Sequence, residues 1–321
     1  MGARSCLLAA VTALTVAAAS LNPASPGSSV DSTALPATQA ASVGLSAIGG
    51  SVRRIDVRVM SFNIHNGADD EDDLDLAATA DVIRSSGAEV IGLQEVDKHK
   101  SRRSDFVDQT AWLAHRLGMY SAFGANIDRK PRRGHKERSQ YGTAILSKYP
   151  ILSARNHLLE NIPYKKDPSE QRGLLETVID LDGVSVGFYT THLDHKRREQ
   201  RSGQIQQVLK IISGSKRPTI LVGDFNAVPD APEMRQVTRQ FTDVFALLGL
   251  SQVRSFPAEE PARRIDYILT RGRIEERRAG VVDTDASDHL PVTADLTIVS
   301  VPPGNAGPVP GSVRSPAPVW F

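Results

Sequence analysis

Polar side chains follow or precede several apolar stretches of this sequence, at the positions where predicted strands begin or end. The packing of a core does not require such residues there, whereas sheet folds use rigid strand ends to fix reactive groups. These residues are Asn63, Glu95, His192, Asp224, Asn226, Asp266, Asp288 and His289. We therefore take their carboxylates, amides and imidazoles as candidate site residues.

The types of these residues suit the hydrolysis of a phosphoester. Carboxylates such as Glu95 and Asp288 are the hard oxygen ligands that Mg²⁺ or Mn²⁺ prefers, and a bound cation neutralises phosphate oxygens. Asp224 and Asn226 are two positions apart, so on an extended backbone their side chains point to the same side. One could align a water while the other donates to a phosphate oxygen. A histidine oriented by a carboxylate forms a general acid–base pair.

The elements that position these residues are predicted from hydrophobic periodicity. The predicted strands are Ile55–Phe62, Val90–Leu93, Thr143–Leu146, Leu174–Asp180, Val184–Thr190, Thr219–Val222, Ile265–Thr270 and Val292–Val299. Helical spacing of apolar residues marks Ala77–Ile83, Phe106–Leu117 and Ile205–Ile212. Helices follow only some of the strands, which argues against a doubly wound parallel sheet. The sequence therefore predicts an α/β fold, a four-layer sandwich of two packed, mostly antiparallel sheets flanked by helices.

Short motifs that contain these residues follow one another along the chain. They are SFNIH (61–65), LQEVD (93–97), YGTAILSKYPI (141–151), TTHLD (190–194), VGDFN (222–226), RIDYI (264–268) and SDHLPV (287–292). In this order they resemble the endonuclease/exonuclease/phosphatase superfamily, which includes DNases, abasic-site endonucleases, neutral sphingomyelinases and inositol polyphosphate 5-phosphatases. The resemblance spans Asp56 to about Leu296. It implies a metal-dependent phosphohydrolase.

The resemblance implies a cation site and contacts to substrate. Glu95 would be the principal Mg²⁺ ligand, with Mn²⁺ a possible substitute. Asn63 would lie beside the metal and the phosphate, and Asp288 would help to hold the metal directly or through water. Tyr141 and Arg172 lie where members of the superfamily often contact the phosphate of the substrate.

The resemblance also implies the groups that act on the phosphate. His192 and His289 would flank the scissile phosphate, and Asp266 would orient His289. Asp224 would activate or position the attacking water, while Asn226 would hold a phosphate oxygen. The division of the proton between Asp224 and His289 stays open at this point.

The composition of the chain ends predicts export. Arg4 precedes the apolar stretch Leu7–Ala19, which is too short to span a membrane comfortably and ends in small residues, as a secretory signal peptide does. We predict a signal peptide at 1–19, a disordered Ala/Ser/Pro linker at 20–52, the catalytic domain at 53–301 and a low-complexity tail at 302–321. Cys6, the one cysteine, lies in the leader, so the mature chain would have neither a disulfide nor a zinc–thiolate site. Export without disulfides favours a bacterial extracellular enzyme.

Net charge indicates no particular partner, because 38 basic residues nearly balance 37 acidic ones. The basic stretches Lys98–Arg103, Arg129–Arg138 and Lys196–Arg198 could attract phosphate-bearing ligands. The first interpretation is therefore a phosphodiesterase acting on nucleic acid.

Alternatives to a nuclease remain on the sequence alone. They are a phospholipase C or sphingomyelinase, which needs exposed apolar loops, an inositol or sugar phosphate phosphatase, and a non-catalytic binding protein on the same fold. We expect a phosphoester substrate, from nucleic acid or a phospholipid headgroup. We expect no stable protein partner, and no transmembrane segment in the mature chain.

Overall fold

The computed structural model describes residues 52–300. The predicted signal peptide, the predicted linker apart from Val52 and the predicted C-terminal tail lie outside the described residues. Within 52–300, no helix combines the length and the apolar character that crossing a membrane requires.

Two β-sheets of six strands each form the centre of the fold. The strands are β1 (Arg53–Asn63), β2 (Val90–Lys98), β3 (Tyr120–Arg129), β4 (Ser139–Ser147), β5 (Ile151–Leu158), β6 (Gly173–Leu181), β7 (Val184–His192), β8 (Thr219–Asp224), β9 (Thr242–Asp243), β10 (Asp266–Arg271), β11 (Ile274–Val281) and β12 (Val292–Ser300). Sheet 1 has the order β11-β12-β1-β2-β4-β3, and sheet 2 has the order β5-β6-β7-β8-β10-β9. Each sheet contains one parallel pair, β1 with β2 and β7 with β8, and its other pairs are antiparallel.

The sheets face each other across an apolar core, and helices cover their outer faces. The helices are α1 (Leu76–Ser86), α2 (Gln109–Leu117), α3 (Arg198–Ser213), α4 (Met234–Thr238) and α5 (Val244–Leu247). Helix α5 differs from the others, because its Val244 and Phe245 pack into the core between the sheets. Inner-face residues such as Val57, Phe188 and Leu296 are buried between the sheets. Leu113 of α2 packs on the outer face of sheet 1, and Ile205 of α3 packs on the outer face of sheet 2. The predicted four-layer α/β sandwich is confirmed.

The predicted strands all occur, and the structure adds β3, β5, β9 and β11. The starts of two helices were predicted wrongly. Helix α3 begins at Arg198 rather than Ile205. Helix α2 begins at Gln109 rather than Phe106, because Phe106 has a φ of 55° and Asp108 caps the helix by accepting from the amide of Ala111. The acidic stretch before α1 ends in a similar cap, where Asp75 accepts from the amides of Ala77 and Ala78.

The two sheets approach each other closely at Gly92 of β2. A Cβ at this position would lie 2.4 Å from Val222 Cγ2 and 2.8 Å from Thr190 Oγ1 of the facing sheet. Real Cβ atoms do not approach other atoms so closely, so a side chain here would push the sheets apart. Glycine is therefore required where the strands that carry the site cross.

We expect Gly92→Ala to lower the free energy of unfolding by about 1–3 kcal/mol, the usual cost of overpacking a core. Urea denaturation followed by circular dichroism measures the change. Gly280→Ala is the matched control, because no atom lies within 4 Å of a Cβ added there. A Gly92→Ala protein as stable as the control would contradict the close approach.

Candidate active site

The parallel strand pairs carry the candidate residues to one end of the sandwich. Asn63 ends β1 and pairs with Gln94 of β2, while His192 ends β7 and pairs with Asp224 of β8. Strand β10 runs antiparallel to β8 and places Asp266 directly opposite Asp224. Backbone pairing therefore fixes the spacing of these side chains before any of them contact each other.

Glu95 reaches the site through an irregularity of β2. The pairing of β2 with β4 shifts between Leu93 and Val96, and Glu95 has a φ of 58°, in the left-handed region. Such a bulge turns one side chain out of the alternating pattern of a strand. Gln94 points between the sheets and donates to Thr190 Oγ1 at 2.8 Å, while Glu95 points into the site. Backbone strain of this kind concentrates at functional sites.

Asn63 holds the carboxylates of the site together. Its Nδ2 lies 3.2 Å from Glu95 Oε1, 3.2 Å from Asp224 Oδ2 and 3.5 Å from His289 Nε2. Its Oδ1 accepts from the backbone amide of His65 at 3.1 Å. Asn63 therefore presents amide hydrogens to the site and fixes Glu95 and Asp224 relative to each other.

His289 lies between two carboxylates. Its Nδ1 is 2.9 Å from Asp266 Oδ2, which also accepts from Ser255 Oγ at 2.7 Å. Its Nε2 is 3.7 Å from Asp224 Oδ2. Asp266 therefore orients the imidazole and leaves Nε2 facing the centre of the site.

Burial and neighbouring charges both shift the pKa values of His289 and Asp224. Burial alone lowers the pKa of His289, but Asp266 and the other nearby carboxylates raise it to about 10. Burial, reinforced by the charge of Asp266, raises the pKa of Asp224 to about 7, although His289 works in the other direction. A proton is therefore retained in this array at neutral pH, and His289 holds it.

Arg172 fixes the second histidine. Its Nη1 lies 2.9 Å from His192 Nδ1 and its Nη2 lies 3.1 Å from His195 Nδ1. A guanidinium can only donate, so His192 Nδ1 accepts and Nε2 carries the proton. Burial and the charge of Arg172 hold the pKa of His192 well below its usual value, so the ring stays neutral.

Two hydrogen-bond donors converge beside Asp224. His192 Nε2 lies 3.4 Å from Asp224 Oδ2 and 3.0 Å from Asn226 Nδ2. The backbone amide of Asn226 donates to Asp224 Oδ1 at 2.8 Å, in a turn where Asn226 has a φ of 50°. The amide of Asn226 donates to the backbone oxygen of Leu193 at 3.1 Å and faces Asp224 Oδ2 at 3.4 Å. An anionic oxygen that lies to one side of both nitrogens would meet the N–H of the imidazole and the amide of Asn226.

Asp288 lies beside this array and is partly exposed. Burial raises its pKa, and the charge of Glu95 raises it further, so the two carboxylates repel each other. Ser287 Oγ donates to the backbone oxygen of Asn63 at 2.7 Å and ties the loop that carries Asp288 to the end of β1.

Tyr141 and Arg172, the predicted substrate contacts, lie at different depths. Arg172 is 3% exposed and its guanidinium contacts His192, His195 and Glu170, so it lies behind His192. Tyr141 is buried in the side wall, with Lys100 Nζ 3.5 Å from the centre of its ring. The sequence analysis did not identify Ser255, because a serine outside the motifs carries no distinguishing pattern. Ser287 lies in the SDHLPV motif and Lys100 in a basic stretch, but no role was predicted for either residue.

The described residues also contain a group that could hold a metal ion. Asp224, Asp266 and His289 each offer a ligand atom, and these atoms lie within 4.8 Å of one another. His289, however, uses Nδ1 to bond Asp266 and retains its proton, which leaves it a poor ligand. Glu95 and Asp288, which are close enough for the charge of Glu95 to raise the pKa of Asp288, offer further carboxylate oxygens.

Comparisons with known proteins agree with this fold. The Endonuclease/Exonuclease/phosphatase family matches residues 60–289. A crystal structure of an endonuclease/exonuclease/phosphatase from Beutenbergia cavernae is 26% identical with a TM-score of 0.63, over 76% of this chain and 72% of that one. The mannosyl-6-phosphatase Bt3783 from Bacteroides thetaiotaomicron is 19% identical with a TM-score of 0.59, over 75% of this chain and 99% of that one.

A curated relative is similar over a shorter part of the chain. Protein cwh43 from Schizosaccharomyces pombe is 28% identical over 144 residues, which are 44% of this chain and 13% of that protein. The chain therefore spans only a small part of the length of this relative.

The fold is that of a family of metal-dependent phosphoester hydrolases. Because the family match covers more than half of the chain, the protein belongs to the endonuclease/exonuclease/phosphatase family.

We expect Arg172→Met to lower kcat by about 10- to 100-fold, the usual effect of removing a partner that orients a functional histidine. The ¹⁵N shifts of the His192 ring should show the Nε2–H tautomer in the parent protein and lose that preference in the variant. Arg278→Met, at an exposed position of β11, is the control. An unchanged tautomer would contradict the role assigned to Arg172.

Proposed function

We propose that this chain is a secreted, Mg²⁺-dependent phosphodiesterase that acts on nucleic acid. The observation that carries the proposal is the convergence of the Asp266–His289 pair, Asp224 and the donors His192 and Asn226 on one point beside Glu95. This arrangement provides an acceptor for the proton of a water and donors for phosphate oxygens close to one another.

The residues at the site fit a divalent cation. Glu95 and Asp288 offer hard carboxylate oxygens, the donor type that Mg²⁺ prefers. Within residues 52–300, neither forms an ion pair with a lysine or arginine, although adjacent carboxylates in a partly buried site repel each other. A cation held by these two residues would remove that repulsion. Once bound, Mg²⁺ neutralises phosphate oxygens and stabilises the leaving oxygen.

The protein groups then divide the work of hydrolysis. Water attacks phosphorus, its proton passes to Asp224, and the bond to the leaving oxygen breaks. His192 and Asn226 donate to a phosphate oxygen. The proton on His289 stabilises the negative charge that develops on the phosphate in the transition state. Asp266 keeps His289 charged and oriented throughout.

Two of the basic stretches support a nucleic-acid substrate. Residues 98–103 and 129–138 meet at one side of the site, where Arg132 Nε donates to the backbone oxygen of Lys100 at 3.3 Å. The rings of Phe106 and His135 stack with their centres 3.6 Å apart and brace the two loops. The third stretch differs, because Lys196 and Arg197 both pair with Asp167. A phosphate backbone is the ligand that such a basic surface attracts.

A phospholipid substrate has less support. Enzymes that act at a membrane surface insert contiguous apolar groups. Large exposed apolar side chains within 52–300 are scattered over the surface, and they are Val52, Leu74, Tyr120, Leu152, Leu158, Val228 and Leu247. We therefore propose nucleic acid rather than phospholipid as the preferred substrate.

A substrate panel with and without EDTA tests this function. It comprises linearised plasmid DNA, RNA, sphingomyelin, phosphatidylinositol and bis(4-nitrophenyl) phosphate. We expect DNA or RNA to be hydrolysed fastest, EDTA to abolish turnover and Mg²⁺ to restore it. Glu95→Gln and His289→Asn should each lower kcat/KM at least about a hundredfold, because each removes a group that stabilises charge in the transition state.

Glu275→Gln, at an exposed carboxylate of β11, is the matched control and should retain full activity. Turnover that resists EDTA would exclude the cation, and faster hydrolysis of either lipid would exclude nucleic acid as the preferred substrate.

We also propose that the enzyme is exported after cleavage behind Ala19, on the basis of the apolar leader. Intact-mass measurement of the protein from the culture medium of a bacterial host should give a chain that begins at Ser20. A chain that is retained in the cells at full length would contradict export.

A further inference from the structure

Charge is distributed unequally on the two sides of the site. In the order of sheet 1, the strands that carry the site are flanked by β11 and β12 on one side and by β4 and β3 on the other. A pocket lies on each side, and the two have opposite charge.

The pocket beside β3 and β4 is basic and has a volume of about 230 Å³. Lys100, Arg129 and Arg132 line it together with Tyr141 and Glu170. This volume is several times the roughly 30 Å³ that one water occupies in the liquid, so a phosphate group fits. Glu170, its one carboxylate, is already paired with Arg172 at 3.1 Å, so the pocket keeps a positive charge.

Lys100 is the cation held most firmly in this pocket. Its side chain is 20% exposed, and its Nζ lies 3.4 Å from Asp97 Oδ1 and over the ring of Tyr141. Its backbone oxygen accepts from Ser139 Oγ at 2.9 Å and from Arg132, which fixes the loop. Burial lowers the pKa of Lys100, so an anion bound beside it would stabilise its charged form.

Tyr141 connects this pocket to the catalytic groups. One side of its ring faces Lys100, and the charges of Glu95 and Glu170 both contribute to raising the pKa of its hydroxyl, after burial. Arg103, which donates to Asp97 from two nitrogens, lies within reach of the charge of Glu95. Glu170 of the pocket wall pairs with Arg172, which contacts His192, so the pocket lies two side chains away from the catalytic imidazole.

The opposite side of the site repels anions. A pocket of about 450 Å³ there is lined by Asp70, Glu259, Asp283 and Asp285, next to Ser287. Ala258 donates its amide to the backbone oxygen of Asp288, which places this acidic wall beside the proposed cation ligands. A strand of nucleic acid that crossed the site would have to pass along these carboxylates.

We infer that the pocket of Lys100, Arg129 and Arg132 binds a second phosphate group of the substrate, so that the anionic part of the substrate extends from the reacting phosphate toward β3 and not toward β11. This inference rests on the proposed phosphoesterase function and specifies its substrate. The second phosphate belongs either to a nucleic-acid strand cut at its end or to a small molecule that carries two phosphates.

Paired substrates test the inference. The nucleotide pairs are the dinucleotide TpT against the same molecule with an added 5′-phosphate, and against the same molecule with an added 3′-phosphate. The sugar pair is glucose 6-phosphate against glucose 1,6-bisphosphate. We expect the parent enzyme with Mg²⁺ to favour the phosphate-rich member of at least one pair about tenfold or more in kcat/KM, because charge-assisted hydrogen bonds to phosphate are strong.

The preference should fall to about one in both Lys100→Met and Arg132→Met, mainly through a higher KM. Arg133→Met, an exposed cation of the same loop that does not line the pocket, should retain it. A preference confined to the nucleotides identifies a strand end as the source, and one confined to the sugar pair identifies a small bisphosphate.

Hydrolysis of both members of every pair without preference would overturn the inference and leave the proposed function intact. A preference that both pocket variants retain would also overturn it. Absence of hydrolysis of every substrate, the panel included, would overturn the proposed function itself.

Discussion

The placement of one imidazole between two buried carboxylates governs the site. Asp224 and Asp266 face each other across neighbouring strands, and burial of two like charges at that distance is costly unless a cation lies between them. His289 supplies that cation and is held by Asp266. Removing either partner would leave an uncompensated buried charge. The protonated imidazole that compensates the two buried carboxylates therefore also provides a proton in a fixed position.

Rigid elements deliver the remaining groups, and local irregularities aim them. Asn63 and His192 are the last residues of their strands, so the sheet determines where their side chains begin. Glu95 and Asn226 instead have left-handed backbone conformations, which turn their side chains away from the regular strand direction. Such conformations persist only where neighbouring packing over-determines them. The close crossing of the sheets at Gly92 is part of that packing.

The sequence predicted the interior of both sheets and missed their margins. β3, β5, β9 and β11 are the four edge strands, and β11 (IEERRAGV) is polar on both faces, so it lacks the alternation that marks a half-buried strand. The strand-end residues were recognisable because carboxylates, amides and imidazoles are unexpected there. The position of Arg172 behind His192 was not recognisable, since a basic residue near a phosphate site is equally well interpreted as a substrate contact. Only the packing of the strands distinguishes the two.

The charged edge strand β11 affects how one copy of the protein interacts with another. An edge strand offers unpaired backbone groups to any other strand, including one from a second copy. On β11, Glu275 pairs with Arg54 and Arg278 pairs with Asp295, so a copy that docked there would have to displace or bury these ions. The charged side chains of β11 thus disfavour strand exchange and aggregation at this edge of sheet 1.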